Sequence, residues 1–106
     1  MDDSISLPIH RRIGGTPLAG QHAVITGATR GIGAAIAETL ARLGADLTLV
    51  GRNQKLLAER RAEIAAQHGR RVDVATLDVT DIASITAAFK AAASHGPIAI
   101  LINNAG

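Results

Sequence analysis

The fold is decided by the stretch Thr26-Gly27-Ala28-Thr29-Arg30-Gly31-Ile32-Gly33, a turn with three glycines in eight residues. A short apolar run, residues 23–25, precedes it. After it, apolar residues recur at the spacing of one helix face: Ile32, Ile36, Leu40 and Leu43. A glycine-rich turn therefore joins a buried strand to a helix. The unpaired N–H groups and the positive dipole end of that helix attract an anion such as a dinucleotide diphosphate, and glycines let phosphate approach closely.

Composition favours one small globular domain. Hydrophobic residues make up 47% of the 106 residues, with a single Phe and neither Trp nor Tyr. Such an Ala, Ile, Leu and Val content is typical of a parallel sheet flanked by helices. The net charge is +2 and the basic residues are scattered, which argues against a nucleic-acid surface.

Several classes of site and location are disfavoured by the residue types. The absence of Cys excludes disulfides and thiolate metal sites. The four His residues lack ligand spacing, so we expect no metal site and expect each His at an exposed loop or helix end. No apolar run reaches membrane-spanning length, and the first residues do not resemble a signal peptide. A cytoplasmic protein is the resulting expectation.

The order of elements predicts a Rossmann-like, doubly wound α/β fold. Residues 1–17 are expected to form a flexible leader, and residues 18–106 the N-terminal part of a dinucleotide-binding domain. The predicted strands are residues 22–26, 46–50, 72–77 and 98–102. The predicted helices are residues 31–43, a second capped by Asn53 and running to about residue 68, and a third capped by Thr80 or Asp81. Right-handed crossovers then give a parallel sheet in the order 3-2-1-4.

Four polar features follow the predicted strands and so share one sheet edge. They are the glycine-rich turn, Arg52, Asp78 and Asn103. Ligands of such sheets bind beyond the carboxyl ends of the strands, at the switch point between strands 1 and 4. The sequence therefore predicts a binding site at this edge.

The residue after the second strand indicates which nicotinamide cofactor is preferred. An acid there holds the adenosine ribose of NAD, whereas an Arg accommodates the 2′-phosphate of NADP. Here Gly51 is followed by Arg52 without an acid, and Arg30 in the turn could reach the same phosphate. The sequence therefore favours NADP(H) over NAD(H).

These motifs together resemble the short-chain dehydrogenase/reductase family. The turn reads T-G-x-x-x-G-x-G, and G-R-N at 51–53, D-V-T at 78–80 and N-N-A-G at 103–106 follow at the family's spacing. The resemblance runs from about residue 18 to residue 106. It implies a cofactor site made of these residues: Gly27, Thr29, Arg30, Gly31, Ile32, Gly33, Arg52, Asn53, Asp78, Val79, Asn103, Ala105 and Gly106.

The resemblance also implies what the chain lacks. In the family a Ser, a Tyr and Lys in Y-x-x-x-K, and an Asn perform the proton chemistry, and all follow N-N-A-G. This chain has no Tyr, so we expect it to hold no catalytic residues. We expect it to be the cofactor-binding part of a longer homo-oligomeric enzyme, truncated after the fourth strand, that interconverts a hydroxyl and a carbonyl on a small molecule. The exposed apolar fourth strand predicts self-association of the isolated chain.

Two alternatives stay open at this point. The chain could be a complete, non-catalytic nucleotide-binding or regulatory module. A doubly wound methyltransferase that uses S-adenosylmethionine is disfavoured, because such an enzyme normally has an acid at the end of the second strand, where this chain has Gly51-Arg52.

Overall fold

The computed structural model describes residues 16–78 and 80–104, which alternate strictly between strand and helix. The elements are β1 (His22–Thr26), α1 (Gly31–Arg42), β2 (Asp46–Gly51), α2 (Gln54–His68), β3 (Val72–Thr76), α3 (Ile82–Ser94) and β4 (Ile100–Asn103).

The four strands form one parallel sheet in the order β3-β2-β1-β4, which confirms the predicted Rossmann-like architecture. The register brings the strand ends together, because Thr26 pairs with both Val50 and Asn103. Gly51, the last residue of β2, pairs with Thr76, the last residue of β3. The carboxyl ends of all four strands therefore lie along one edge, as predicted.

The helices cover the two faces of the sheet in separate clusters. Ala23 and Ile25 of β1 pack with the buried residues of α1 and α2. Val24, which points to the opposite face, packs with Ala88 and Ala92 of α3. The central strand β1 is buried at every residue, as expected for a parallel sheet covered on both sides.

Helix starts agree with the predicted caps. The Asn53 side chain accepts a hydrogen bond from the backbone N–H of Leu56 at 3.0 Å, and so caps α2. Asp81, rather than Thr80, caps α3 by accepting from the N–H of Ala83 at 3.0 Å. Both caps satisfy N–H groups that the helix itself leaves unpaired.

Strand boundaries differ from the prediction by a few residues. β3 ends at Thr76, since Asp78 already belongs to a tight turn with Thr80. β4 begins at Ile100 instead of residue 98, where its pairing with Ala23 starts. It extends to Asn103, one residue further than predicted.

The prediction that every His is exposed at a loop or helix end is wrong for His22. Its side chain is buried in β1 at the edge opposite the predicted site, with 7% of its surface exposed. Nε2 lies 2.7 Å from the Thr48 hydroxyl and Nδ1 lies 3.1 Å from the Gly96 carbonyl oxygen. The imidazole therefore joins β1, β2 and the loop before β4 through its two nitrogens.

The outer strand β4 is less covered than the rest of the sheet. Leu101 is 55% exposed, in contrast to the buried residues of β1 beside it. Most of the predicted leader, residues 1–15, lies outside the described residues. In the described part of the chain, none of the helices has the length and apolar character needed to cross a bilayer.

Candidate functional site

The glycine-rich turn leaves β1 through a backbone conformation that favours glycine. Gly27 has φ +65° and Gly31 has φ +63°, both in the left-handed region. The N–H of Gly27 donates to the Val50 carbonyl oxygen at 3.0 Å, which fixes the start of the turn to β2.

Gly33 is required by close packing rather than by its φ angle. A Cβ at this position would overlap the carbonyl oxygen of Gly27 and lie 2.6 Å from Nδ2 of Asn104. The first turn of α1 is thus pressed against the start of the turn and the end of β4. Only glycine permits this approach.

The N-terminus of α1 differs from those of α2 and α3. Its N-cap, Arg30, has extended backbone angles (φ −157°, ψ 171°) and makes no side-chain capping hydrogen bond. In α2 and α3 the side chains of Asn53 and Asp81 fill that role. The first-turn N–H groups of α1 therefore lack a side-chain cap and suit an anionic ligand.

Thr26 and Asn104 tie the turn to β4. The Thr26 hydroxyl accepts from the backbone N–H of Asn104 at 3.0 Å and lies 3.1 Å from Oδ1 of Asn103, to which it can donate. Nδ2 of Asn104 donates to the Gly27 carbonyl oxygen at 3.2 Å. The T-G and N-N motifs, almost 80 positions apart in the chain, thus form one hydrogen-bonded unit.

The main cavity opens at this edge, with a volume of about 1090 Å³. It lies between the turn and the segment that joins β2 to α2. Its lining consists of Gly27, Thr29, Arg30, Val50, Gly51, Arg52, Asn53, Gln54, Lys55, Ala58 and Leu77.

Five of these lining residues were predicted for the site: Gly27, Thr29, Arg30, Arg52 and Asn53. Sequence reasoning missed Gln54, Lys55 and Ala58, which lie on the first turns of α2. Their position directly after Arg52 and Asn53 was a signal that could have found them, because a helix that begins at the sheet edge exposes its first turn to that edge.

The cavity is electrostatically positive. Its charged lining side chains in the described chain are all basic: Arg30, Arg52 and Lys55. Basic groups around an anion-binding helix terminus favour a ligand with phosphate groups, and arginine forks match phosphate oxygens.

A second cavity of about 330 Å³ adjoins the first and shares Arg52 with it. Asp78 lies in this second cavity, where Oδ1 accepts from the hydroxyl and the backbone N–H of Thr80 at 2.7 and 3.0 Å. These hydrogen bonds, and to a smaller extent the charge of Arg52, lower the pKa of Asp78 below its usual value. Asp78 is therefore held as a carboxylate beside Arg52.

The remaining predicted residues fall around these cavities. Ile32 is 72% exposed in the first turn of α1, and Gly31 borders a cleft between α1 and α2. Val79, Ala105 and Gly106 lie outside the described residues. Within the described ranges no group of His, Asp or Glu side chains is arranged to hold a metal ion.

Comparisons with known proteins agree with this geometry. The short chain dehydrogenase family model matches residues 21–106. Gluconate 5-dehydrogenase of Gluconobacter oxydans is 43% identical over 90 residues, which are 84% of this chain and 35% of that protein. Oxidoreductase UcpA of Escherichia coli is 44% identical over 90 residues, 84% of this chain and 34% of that one.

A solved structure gives the same result. L-sorbose reductase from Gluconobacter frateurii, complexed with NADPH and L-sorbose, has a TM-score of 0.81 and 38% identity, covering 87% of this chain and 35% of that chain. The chain thus spans about a third of the length of the relatives it matches. With the family model matching most of its length, the chain belongs to the short-chain dehydrogenase family, whose members are NAD(P)-dependent oxidoreductases.

Proposed function

We propose that the carboxyl edge of this sheet binds NADP(H), as the cofactor-binding part of an oxidoreductase that interconverts a hydroxyl and a carbonyl group. The observation that carries the proposal is the basic cavity bordered by Arg52 after β2 and by Arg30, the N-cap of α1, which makes no side-chain capping hydrogen bond. Glycine at position 33 supports it, because a side chain there would fill the space in which the turn and β4 meet.

The diphosphate is assigned to the glycine-rich turn, residues 27–33. The first-turn N–H groups of α1 would donate to its oxygens, and the helix dipole would favour its negative charge. The left-handed backbone at Gly27 and Gly31 supports this assignment, since it shapes the turn without side chains in the way of the ligand.

The 2′-phosphate is assigned to Arg52, with Arg30 and Lys55 as further cations in the same cavity. Asn53 contributes indirectly. Its side-chain oxygen is engaged in capping α2, so it fixes the segment that presents Arg52. Asp46 is the first residue of β2 and so lies at the opposite edge of the sheet, where it cannot act as the ribose-binding acid.

The remaining contacts are assigned by the family resemblance. Asp78 and Val79 would flank the adenine, and Asn103, Ala105 and Gly106 would line the ribose and nicotinamide side. The bound cofactor would supply or accept the hydride. This chain's own residues would bind and orient it, and because the chain has no Tyr, the family's Tyr and Lys proton chemistry is not assigned to it. A small-molecule substrate and a homo-oligomer are proposed for the whole enzyme.

Calorimetric titration with NADPH and NADH tests the proposal. We expect NADPH to bind at least about tenfold more tightly, since charge-assisted hydrogen bonds to one phosphate contribute about 1.5–3 kcal/mol. Arg52→Asp should shrink or reverse the preference. Arg61→Asp is the matched control, because Arg61 is an exposed residue of α2 outside the cavity lining. Equal affinities for the two cofactors in the unmutated chain would contradict the NADP assignment.

A further inference from the structure

We infer that Arg60 of α2 is a positioning residue that holds the glycine-rich turn in its diphosphate-binding shape. The inference rests on the proposed function and extends it to a residue outside the sequence motifs. Arg60 lies neither in the turn nor in the lining of the main cavity. It reaches the turn from the neighbouring helix.

The contact is specific in its atoms. Nε of Arg60 donates to the Thr29 carbonyl oxygen at 2.6 Å, across 31 positions of sequence. Nη1 of the same guanidinium donates to Oε1 of Glu63 at 2.9 Å. The Arg60 side chain is 30% exposed, so the guanidinium is partly shielded and anchored on two sides. Because the guanidinium is already held by Glu63, it loses less conformational entropy when it binds the Thr29 carbonyl.

The bond acts on the peptide group between Thr29 and Arg30. A trans peptide is planar, so its C=O and N–H point in opposite directions and turn together. Holding the Thr29 carbonyl towards α2 therefore fixes the direction of the Arg30 N–H as well. Arg30 is the N-cap of α1, where backbone direction decides which N–H groups face a ligand.

This peptide lies between two other fixed points of the turn. Gly27 is held by hydrogen bonds to Val50 and Asn104, and the helical bonds of α1 begin with the Ala34 N–H donating to the Arg30 carbonyl oxygen. Gly31, next to the peptide, has the freedom of a left-handed glycine. Arg60 supplies a fixed partner within the segment that is otherwise freest to rotate.

Arg60→Lys separates geometry from charge. Lysine keeps the positive charge but places a methylene where Nε donates. We expect the Kd for NADPH to rise about tenfold, as for a lost hydrogen bond from a charged donor. The affinity for adenosine 2′-monophosphate, which lacks the diphosphate, should fall less than about threefold, since its phosphate is assigned to Arg52 and the long Arg30 side chain. Arg61→Lys, one position along the helix, is the control and should bind both ligands as the unmutated protein does.

A spectroscopic readout tests the mechanism directly. The ¹⁵N shift of the Arg30 amide, which reports hydrogen bonding to the preceding carbonyl, should move in Arg60→Lys and stay in Arg61→Lys. Glu63→Ala removes the second anchor but keeps Nε of Arg60, so we expect a smaller rise in the Kd for NADPH, about twofold to threefold. Denaturant midpoints of each variant show whether folding is preserved.

The outcomes separate the two proposals. If the unmutated protein fails to bind NADPH, the proposed function is wrong. If it binds NADPH and Arg60→Lys binds equally well, the inference about Arg60 is wrong while the function stands. If Arg60→Lys lowers the affinities for NADPH and adenosine 2′-monophosphate equally, the inference is also wrong, because an equal loss indicates general disruption of the site.

Discussion

The hydroxyl of Thr26 accepts a hydrogen bond from the backbone N–H of Asn104 at 3.0 Å. This bond joins the ends of β1 and β4 at the switch point of the sheet. Thr26 ends β1 and precedes the glycine-rich turn, while Asn104 follows β4. The same hydroxyl lies 3.1 Å from Oδ1 of Asn103. Together with the hydrogen bond from Asn104 Nδ2 to the Gly27 carbonyl oxygen, it links the turn assigned to the diphosphate with the segment assigned to the nicotinamide side of the cofactor.

Thr26→Val is expected to lower the free energy of unfolding by about 1 kcal/mol, because it removes the partly buried hydrogen bonds that the hydroxyl makes with the Asn104 N–H and the Asn103 amide oxygen. Urea unfolding measures this. Thr39→Val is the matched control, since Thr39 donates to Ala35 on the exposed face of α1. It should change stability by less than about 0.5 kcal/mol. Equal effects at the two positions would contradict the role given to Thr26.

Gly33→Ala is expected to destabilise the protein by about 1–3 kcal/mol, as overpacking does. The new Cβ would meet the Gly27 carbonyl oxygen and the Asn104 amide. The sign of the change in the free energy of unfolding is the test, because Gly→Ala within a helix ordinarily stabilises by about 1 kcal/mol. At Gly31, where a Cβ meets open space but φ is +63°, alanine should cost about 1–2 kcal/mol through the backbone alone. A gain in thermal stability for Gly33→Ala would refute the close approach.

Thr48→Val tests the buried His22. Removal of the hydroxyl leaves Nε2 without the partner now 2.7 Å away, at a position where Thr48 is fully buried. We expect a loss of about 1–3 kcal/mol. In a His22→Phe background, Thr48→Val should leave the free energy of unfolding nearly unchanged, since there is no imidazole nitrogen to lose its partner. A double-mutant cycle by chemical denaturation gives the coupling energy, and a coupling near zero would show that the pair contributes nothing.

Thr80→Val tests the electrostatics of Asp78. The hydrogen bonds of Thr80 lower the pKa of Asp78 from its ordinary value of 3.8, so removal of the hydroxyl should raise that pKa towards 3.8. A carboxyl with a depressed folded pKa stabilises the protein above its unfolded pKa, and this contribution is lost as the pH falls through the folded value. The difference in stability between the unmutated protein and Thr80→Val should therefore shrink below about pH 4. Carboxyl titration by nuclear magnetic resonance measures the shift, and an unchanged pKa would contradict the assignment.

Local chemistry made most of the fold predictable. The cap at Asn53 followed from its residue type and the helical pattern after it, and the structure confirms it. The edge shared by Arg52, Asp78 and Asn103 followed from strand order, because parallel strands place their carboxyl ends together. These features depend on neighbouring residues or on the order of strands and helices, and both can be predicted from the sequence pattern.

The predictions failed where a distant contact decides the outcome. His22 lies buried in the central strand, where its ring contacts the carbonyl oxygen of Gly96, 74 positions later in the chain. The hydrogen bond from Arg60 to the Thr29 carbonyl could not be predicted from residue types, since every residue has a carbonyl. Such partners become visible only when the packing of α2 against α1 is known.

The central claim is that a dinucleotide binds at the carboxyl edge, and amide chemical shifts test it most directly. On titration with NADPH, we expect the largest ¹⁵N–¹H changes at Gly27 to Gly33 and around Arg52. Amides at the opposite edge, such as those of Gly44 and Gly96, should hardly move, because they lie beyond the amino ends of the strands. Changes centred on that opposite edge, or no saturable change at millimolar NADPH, would contradict the account.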